Sequence, residues 1–123
     1  LSKTYEDIIL VFGCGGDRDK SKRSKMMRVA QDFASKIIFT SDNNRFEAFQ
    51  SICKDALDGN NKNRVEIIED RYKAIKSALK HLNKKNLLVI LGKGHEKFLD
   101  VQGKKVKFND KTCVLKILNN EIN

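Results

Sequence analysis

The chain has 123 residues, enough for one domain with a single core and too few for two ordinary ones. Hydrophobic residues at 40% and charged residues at 33% describe a packed chain rather than a disordered one, and 25 basic against 16 acidic residues leave a net charge of +9. The longest apolar runs, Ile8–Phe12 and Leu87–Leu91, fall far short of the roughly 17–25 residues that a membrane-spanning helix needs.

Ile8–Phe12 reads as a buried strand running into the glycine-rich turn Gly13-Cys14-Gly15-Gly16. Met26, Val29, Ala30, Phe33 and Ala34 recur at helical spacing and are expected to face a core. Ile37–Thr40 is a second short strand, ending in the polar turn Ser41–Asn44. Phe46, Phe49, Ile52, Cys53, Ala56 and Leu57 form another helical stripe, closed by Gly59 and an Asn-rich loop. Val65–Ile68 makes a third strand, and Asp70 is placed to cap a helix carrying Tyr72, Ile75, Ala78, Leu79 and Leu82. Leu87–Leu91 is the most apolar strand and leads straight into Gly92-Lys93-Gly94-His95-Glu96. Phe98–Val101 and Lys105–Phe108 then flank Gln102-Gly103 as a hairpin, and Asp110 is expected to cap a last helix with Val114, Ile117 and Leu118 inward.

Strands alternating with helices imply right-handed βαβ crossovers. The expected fold is an α/β domain: an open, Rossmann-like, mainly parallel sheet with helices on both faces and the hairpin as an antiparallel edge. One domain covers residues 1–123, without internal repeat, linker or low-complexity tract. Leu1 in place of an initiating methionine, with no charged-then-apolar leader behind it, reads as a piece of a longer chain without a secretion signal.

The positive charge suits an anionic partner, but it is dispersed. Lys outnumbers Arg 19 to 6, and few aromatic residues are available to stack bases. A small anionic ligand accounts for the charge equally well, so neither a nucleic-acid nor a membrane partner is expected. Cys14, Cys53 and Cys113 are odd in number and lack CxxC pairing, which argues against structural disulfides and a metal site and fits a reducing cytoplasm.

Ligands of open α/β sheets collect at the carboxyl ends of the strands. Three polar loops stand there: Gly13–Arg23, Ser41–Arg45 and Gly92–Glu96. Their convergence would gather Arg18, Asp42, Asn43, Arg45 and Glu96 around one pocket. Arginine forks suit carboxylate or phosphate, whereas Asp and Glu suit an ammonium group, and a site bearing both signs matches an amino acid. Each loop also has a plainer reading. GCGGDRDKSKR is neither GxGxxG nor GxxxxGK[ST] and serves equally as a tight strand-to-helix turn. Arg18, Lys20, Lys22, Arg23 and Lys25 would then be a solvated helix start, although a positive run there opposes the helix dipole. DNNR alone is a capping turn, GKGHE alone a flexible one, and His81 is expected to be exposed.

Taken in order, GCGGDRDKSKR, SDNNR and GKGHE, followed by the hairpin and FNDK, resemble the C-terminal domain of the Mur ligase family. Within it the chain is similar to the UDP-N-acetylmuramoyl-tripeptide synthetases, from about Ile8 to Leu118. The resemblance implies an ATP-dependent ligase of peptidoglycan precursor synthesis. ATP, assisted by Mg2+, would phosphorylate the D-glutamate carboxylate of UDP-N-acetylmuramoyl-L-alanyl-D-glutamate, and the amine of a diamino acid would attack that acyl phosphate. In the family an N-terminal domain holds the UDP sugar and a central domain carries the ATPase P-loop. This chain has no GxxxxGK[ST] and no length for either domain. The resemblance therefore implies a cytoplasmic, amino-acid-selecting lid that docks on the central domain, bears no catalytic residue and is inert alone.

The same resemblance assigns site residues. Family members that add meso-diaminopimelate usually carry DNPR, whose arginine binds the distal carboxylate of the ligand. Here the motif is Asp42-Asn43-Asn44-Arg45, with Asn44 in place of proline; the arginine remains and only a fixed φ is lost. Arg18 matches a second contact to the ligand, and Gly92 and Glu96 match the backbone and carboxylate that receive its distal ammonium. Asp17 and Lys20 correspond to nucleotide-side contacts on closure, and His95 either orients its loop or packs beside it. Lysine-adding relatives lack the arginine, so Arg45 favours meso-diaminopimelate. Three alternatives stay open: the same ligase class adding L-lysine, a non-catalytic module for an anionic metabolite, and a nucleic-acid binder with steeply salt-dependent affinity.

Overall fold

The computed structural model describes residues 7–16, 20–83, 86–91, 98–101 and 104–107. Its centre is strand β1 (Asp7–Phe12), whose alternating side chains feed two cores. Ile8, Leu10 and Phe12 enter one, and Ile9 and Val11 enter the other. A strand clad on both faces must be apolar throughout, which is why the run shows no polar alternation.

β2 (Lys36–Phe39) and β4 (Asn86–Ile90) pair with β1 on either side, and β3 (Val65–Ile67) pairs with β2. All are parallel, giving a four-stranded sheet in the order β3-β2-β1-β4. Helices α1 (Ser21–Phe33) and α2 (Phe49–Leu57) cover one face, packing Met27, Ala30, Ala34, Phe49, Ile52 and Ala56 on Leu10, Ile37 and Phe39. Helix α3 (Arg71–Lys80) covers the other, placing Ala74, Ile75 and Ala78 on Ile9, Val11 and Ile38. Asp70 caps α3 as expected, its side chain accepting from the Lys73 amide at 3.0 Å. The Rossmann-like sheet with helices on both faces is therefore present.

β5 (Phe98–Val101) and β6 (Lys104–Lys107) form the antiparallel hairpin, with Phe98 opposite Lys107 and Val101 opposite Lys104. Among the described residues this ladder closes on itself as a separate two-stranded sheet, whereas the sequence suggested an added edge to the parallel one. The turn Gln102-Gly103 and the expected last helix from Asp110 lie outside the described residues.

Three details of the helical faces differ from expectation. On α1 the buried stripe is Arg23, Met27 and Ala30, continued by Ala34, while Met26, Val29 and Phe33 are 46%, 59% and 46% exposed. Both stripes satisfy the helical period and lie about 100° apart, so spacing alone could not choose between them. The exposed stripe and Leu91 line an open apolar groove of about 360 Å³. Phe46 is exposed because it precedes the first turn of α2, and Leu82 because it follows the last turn of α3. No helix among the described residues is long and apolar enough to cross a membrane.

Cys14 and Cys53 are free and buried. Burial pushes both thiols up from 9.0 to about 11. Above pH 9 the unfolded chain would ionise these groups while the folded chain holds them neutral, so stability is intact below that value and declines until about pH 11. Denaturant titrations across that window should show a shallower decline in Cys14→Ala/Cys53→Ala than in the wild type. An equally steep decline in the variant would assign the effect to other groups.

Candidate functional site

The carboxyl ends of β1 and β2 deliver residues 13–16 and 40–45 side by side. The Thr40 amide donates to the Phe12 carbonyl at 2.9 Å, and the Gly16 amide donates to the Asn43 carbonyl at 2.9 Å. A Cβ on Gly13 would overlap the Thr40 carbonyl oxygen, and one on Gly16 would overlap the Asn44 backbone. Glycine is needed at both positions because the second loop lies directly against the first. This packing accounts for the glycine-rich loop without requiring a phosphate.

The turn that follows β2 is unusual in its backbone. Asn43 and Arg45 both adopt left-handed conformations, with φ of +47° and +55°. Asn tolerates this well; for Arg it costs on the order of 1–2 kcal/mol, to be offset by what the turn achieves. The Arg45 guanidinium lies back across the glycine-rich loop, where Nη1 donates to the Gly16 carbonyl at 2.9 Å and to the Asn43 carbonyl at 3.2 Å. Arg45 is thus half-buried and oriented by backbone carbonyls. Asn44 is buried, its carbonyl accepts from the Glu47 amide at 3.0 Å, and its Oδ1 has no hydrogen-bond partner among the described residues.

Beneath both loops stands Arg23, only 2% exposed. Nη1 donates to Glu47 Oε2 and Asp55 Oδ2, each at 2.8 Å, and Nη2 donates to Glu47 Oε1 at 2.7 Å and to the Gly15 carbonyl at 2.9 Å. This forked pair with Glu47 joins α1, α2, the glycine-rich loop and the base of the 42–45 turn. The same contact raises the Arg23 pKa still further, against the opposing effect of burial. Sequence reading placed Arg23 on a solvated helix start; the structure makes it an internal strut. The available signal was its position four residues before Met27, in register with Ala30 and Ala34.

Arg71 was also missed as a buried group. At 2% exposure it donates through Nη1 to the Ser41 carbonyl at 3.0 Å and through Nη2 to the Leu91 carbonyl at 2.8 Å. Its signal is similar, four residues before the buried Ile75.

Of the expected site residues, Asp42, Asn43, Asn44 and Arg45 lie together on the turn after β2. Lys20 sits at the start of α1, 65% exposed and 4.0 Å from Glu47. Asp17, Arg18, Gly92, His95 and Glu96 lie outside the described residues. Leu91 donates its amide to the Val11 carbonyl at 3.0 Å, so the strand that leads to Gly92 ends beside the end of β1. Gly13, Cys14, Gly15, Lys22, Arg23, Met26 and Asp42 line an open cleft of about 380 Å³ with charges of both signs. The groove beside α1 is of similar size but almost wholly apolar, and of the expected site residues that the structure describes only Asp42 lines the cleft. Burial favours the neutral form of the Cys14 thiol, which lines the cleft. Among the described residues no group of three or more His, Cys, Asp or Glu is placed to hold a metal ion.

Residues 1–94 match the family described as Mur ligase, glutamate ligase domain. The chain is 48% identical over 108 residues to a UDP-N-acetylmuramoyl-L-alanyl-D-glutamate--2,6-diaminopimelate ligase of Helicobacter hepaticus, covering 87% of this chain and 23% of that protein. It is 42% identical over 112 residues to the protein of the same name from Prochlorococcus marinus, covering 90% of this chain and 22% of the relative. A solved structure of a ligase of that name superposes with a TM-score of 0.92 at 35% identity, covering 98% of this chain and 25% of that one. The chain spans about a quarter of the length of the relatives it matches.

Proposed function

The chain belongs to the Mur ligase family, within its glutamate ligase domain, and from that premise we propose that it is the amino-acid-recognising part of a cytoplasmic, ATP-dependent ligase. That ligase adds meso-diaminopimelate to UDP-N-acetylmuramoyl-L-alanyl-D-glutamate. The observation that carries this reading is Arg45: a strained turn holds a cation at the carboxyl edge of the sheet, oriented from one side by the Gly16 and Asn43 carbonyls.

In this proposal the Nε–Nη2 edge of Arg45 pairs with the distal carboxylate of the ligand, a planar match that an ammonium cannot supply. Asp42, Asn43 and Asn44 shape the turn, and Arg18, Gly92 and Glu96 complete recognition of the distal carboxylate and ammonium. Asp17 and Lys20 face the nucleotide on closure. ATP and Mg2+ supply the activated carboxylate, and we assign their main binding groups to parts of a longer protein outside this chain, which has no GxxxxGK[ST] sequence. The relatives named above as 2,6-diaminopimelate ligases support this substrate over lysine.

The test is a ligation assay on the full-length protein with ATP, Mg2+, the UDP-linked dipeptide and either amino acid. Product and phosphate are expected with meso-diaminopimelate and far less with L-lysine, and the 123-residue chain alone should release no phosphate from ATP. Preferential use of lysine would overturn the substrate assignment. ATP turnover by the chain alone would overturn the division of labour.

A further inference from the structure

We propose that Arg71 is a positioning residue for amino-acid recognition, tying together the two strand ends from which the proposed recognition segments depart. The inference rests on the functional reading above and deepens it, by naming what holds that site in register.

Neighbouring strands lie about 4.8 Å apart, and β1 stands between β2 and β4, so the ends of those two strands are about 10 Å apart. No backbone ladder can join them directly. The Arg71 guanidinium does, by way of α3, which packs on the face of the sheet: one Nη donates to the Ser41 carbonyl at 3.0 Å, and the other donates to the Leu91 carbonyl at 2.8 Å. Ser41 immediately precedes the 42–45 turn, and Leu91 immediately precedes Gly92. A fork with two diverging donors is needed for this reach, because a single ammonium would serve one carbonyl or the other.

The anchor for this fork is itself fixed. The Ser41 amide and the Thr40 hydroxyl both donate to the Glu69 carbonyl, at 3.3 and 3.1 Å, so the start of α3 is fastened to the end of β2. Asp70 caps the helix there. At 2% exposure Arg71 is not available as a ligand contact, yet these two hydrogen bonds, charge-assisted and shielded from water, reinforce the separation of the two strand ends that the ladders to β1 establish. A ligand whose far end carries both a carboxylate and an ammonium must be met from two directions, and that separation decides whether both are met.

The experiment is steady-state kinetics of the full-length ligase as wild type, Arg71→Gln and Arg71→Lys, with the three KM values and the melting temperature measured separately. Arg71→Gln should raise KM for meso-diaminopimelate by about 10- to 100-fold, the scale of a misplaced binding group, with KM for ATP and for the UDP-linked substrate within about twofold of wild type. Arg71→Lys should raise the amino-acid KM by less, since one carbonyl keeps a donor. Equal rises in all three KM values, or an unchanged amino-acid KM, would overturn the proposal. If Arg71→Gln does not fold, Arg71→Lys decides by the same criteria. A wild type that prefers lysine retires the meso-diaminopimelate assignment alone, and the Arg71 test is then read on lysine.

Discussion

Arg45→Ala in the full-length ligase is expected to lower kcat/KM for meso-diaminopimelate by roughly 30- to several-thousand-fold. Truncating one side of a buried, hydrogen-bonded charge pair costs on the order of 2–5 kcal/mol, and each 1.4 kcal/mol or so is tenfold. Arg45→Lys should recover only part of this, because an ammonium lacks the planar fork. L-Lysine has no distal carboxylate, so its kcat/KM should hardly change. The ratio of the two specificity constants is therefore the decisive measurement. A similar loss with both amino acids would make Arg45 a structural residue of the turn. Arg45→Gly supplies the backbone control: glycine accepts φ of +55° without strain, so it should be no less stable than Arg45→Ala and equally poor with meso-diaminopimelate.

Arg23→Ala should be the most destabilising single substitution considered, costing about 3–5 kcal/mol by leaving Glu47 in the interior without its forked partner. At several degrees per kcal/mol for a chain of this size, melting should fall by roughly 10–20 °C. The lost groups also include the donor to the Gly15 carbonyl, so the loops carrying Gly16 and Arg45 loosen together. Arg23→Met combined with Glu47→Gln should recover a large part of the loss, because it refills the volume and removes the stranded charge. Calorimetry on the 123-residue chain reads both effects. A loss below about 1 kcal/mol for Arg23→Ala would show that water reaches and solvates the pair.

The order of elements was legible because its causes are local. An unbroken apolar run such as Ile8–Phe12 can satisfy only a strand covered on both sides, and the Asp70 cap acts within its own first turn. The polar loops that follow β1 and β2 came from the same alternation, since parallel strands deliver their exits to one edge. The GCGGDRDKSKR, SDNNR and GKGHE segments carried the family resemblance for the same reason: they are short and contiguous.

What the sequence determined by itself was therefore the order of strands and helices from β1 to β6, the parallel pairing of the first four strands and the turn on which Arg45 sits. Tertiary structure decided which of two equally periodic stripes of α1 is buried, because that choice depends on where α2 and the sheet lie. It decided that Arg23 and Arg71 are internal, since all but one of the acceptors named for their guanidinium groups lie 20 to 32 residues away in the chain. It also decided why Gly13 and Gly16 must be glycine, because the backbone that would meet a side chain there belongs to the other loop. Periodicity and caps act over a few residues and leave a mark in sequence. Charge compensation and close approach of two loops are properties of segments that meet only in the folded chain.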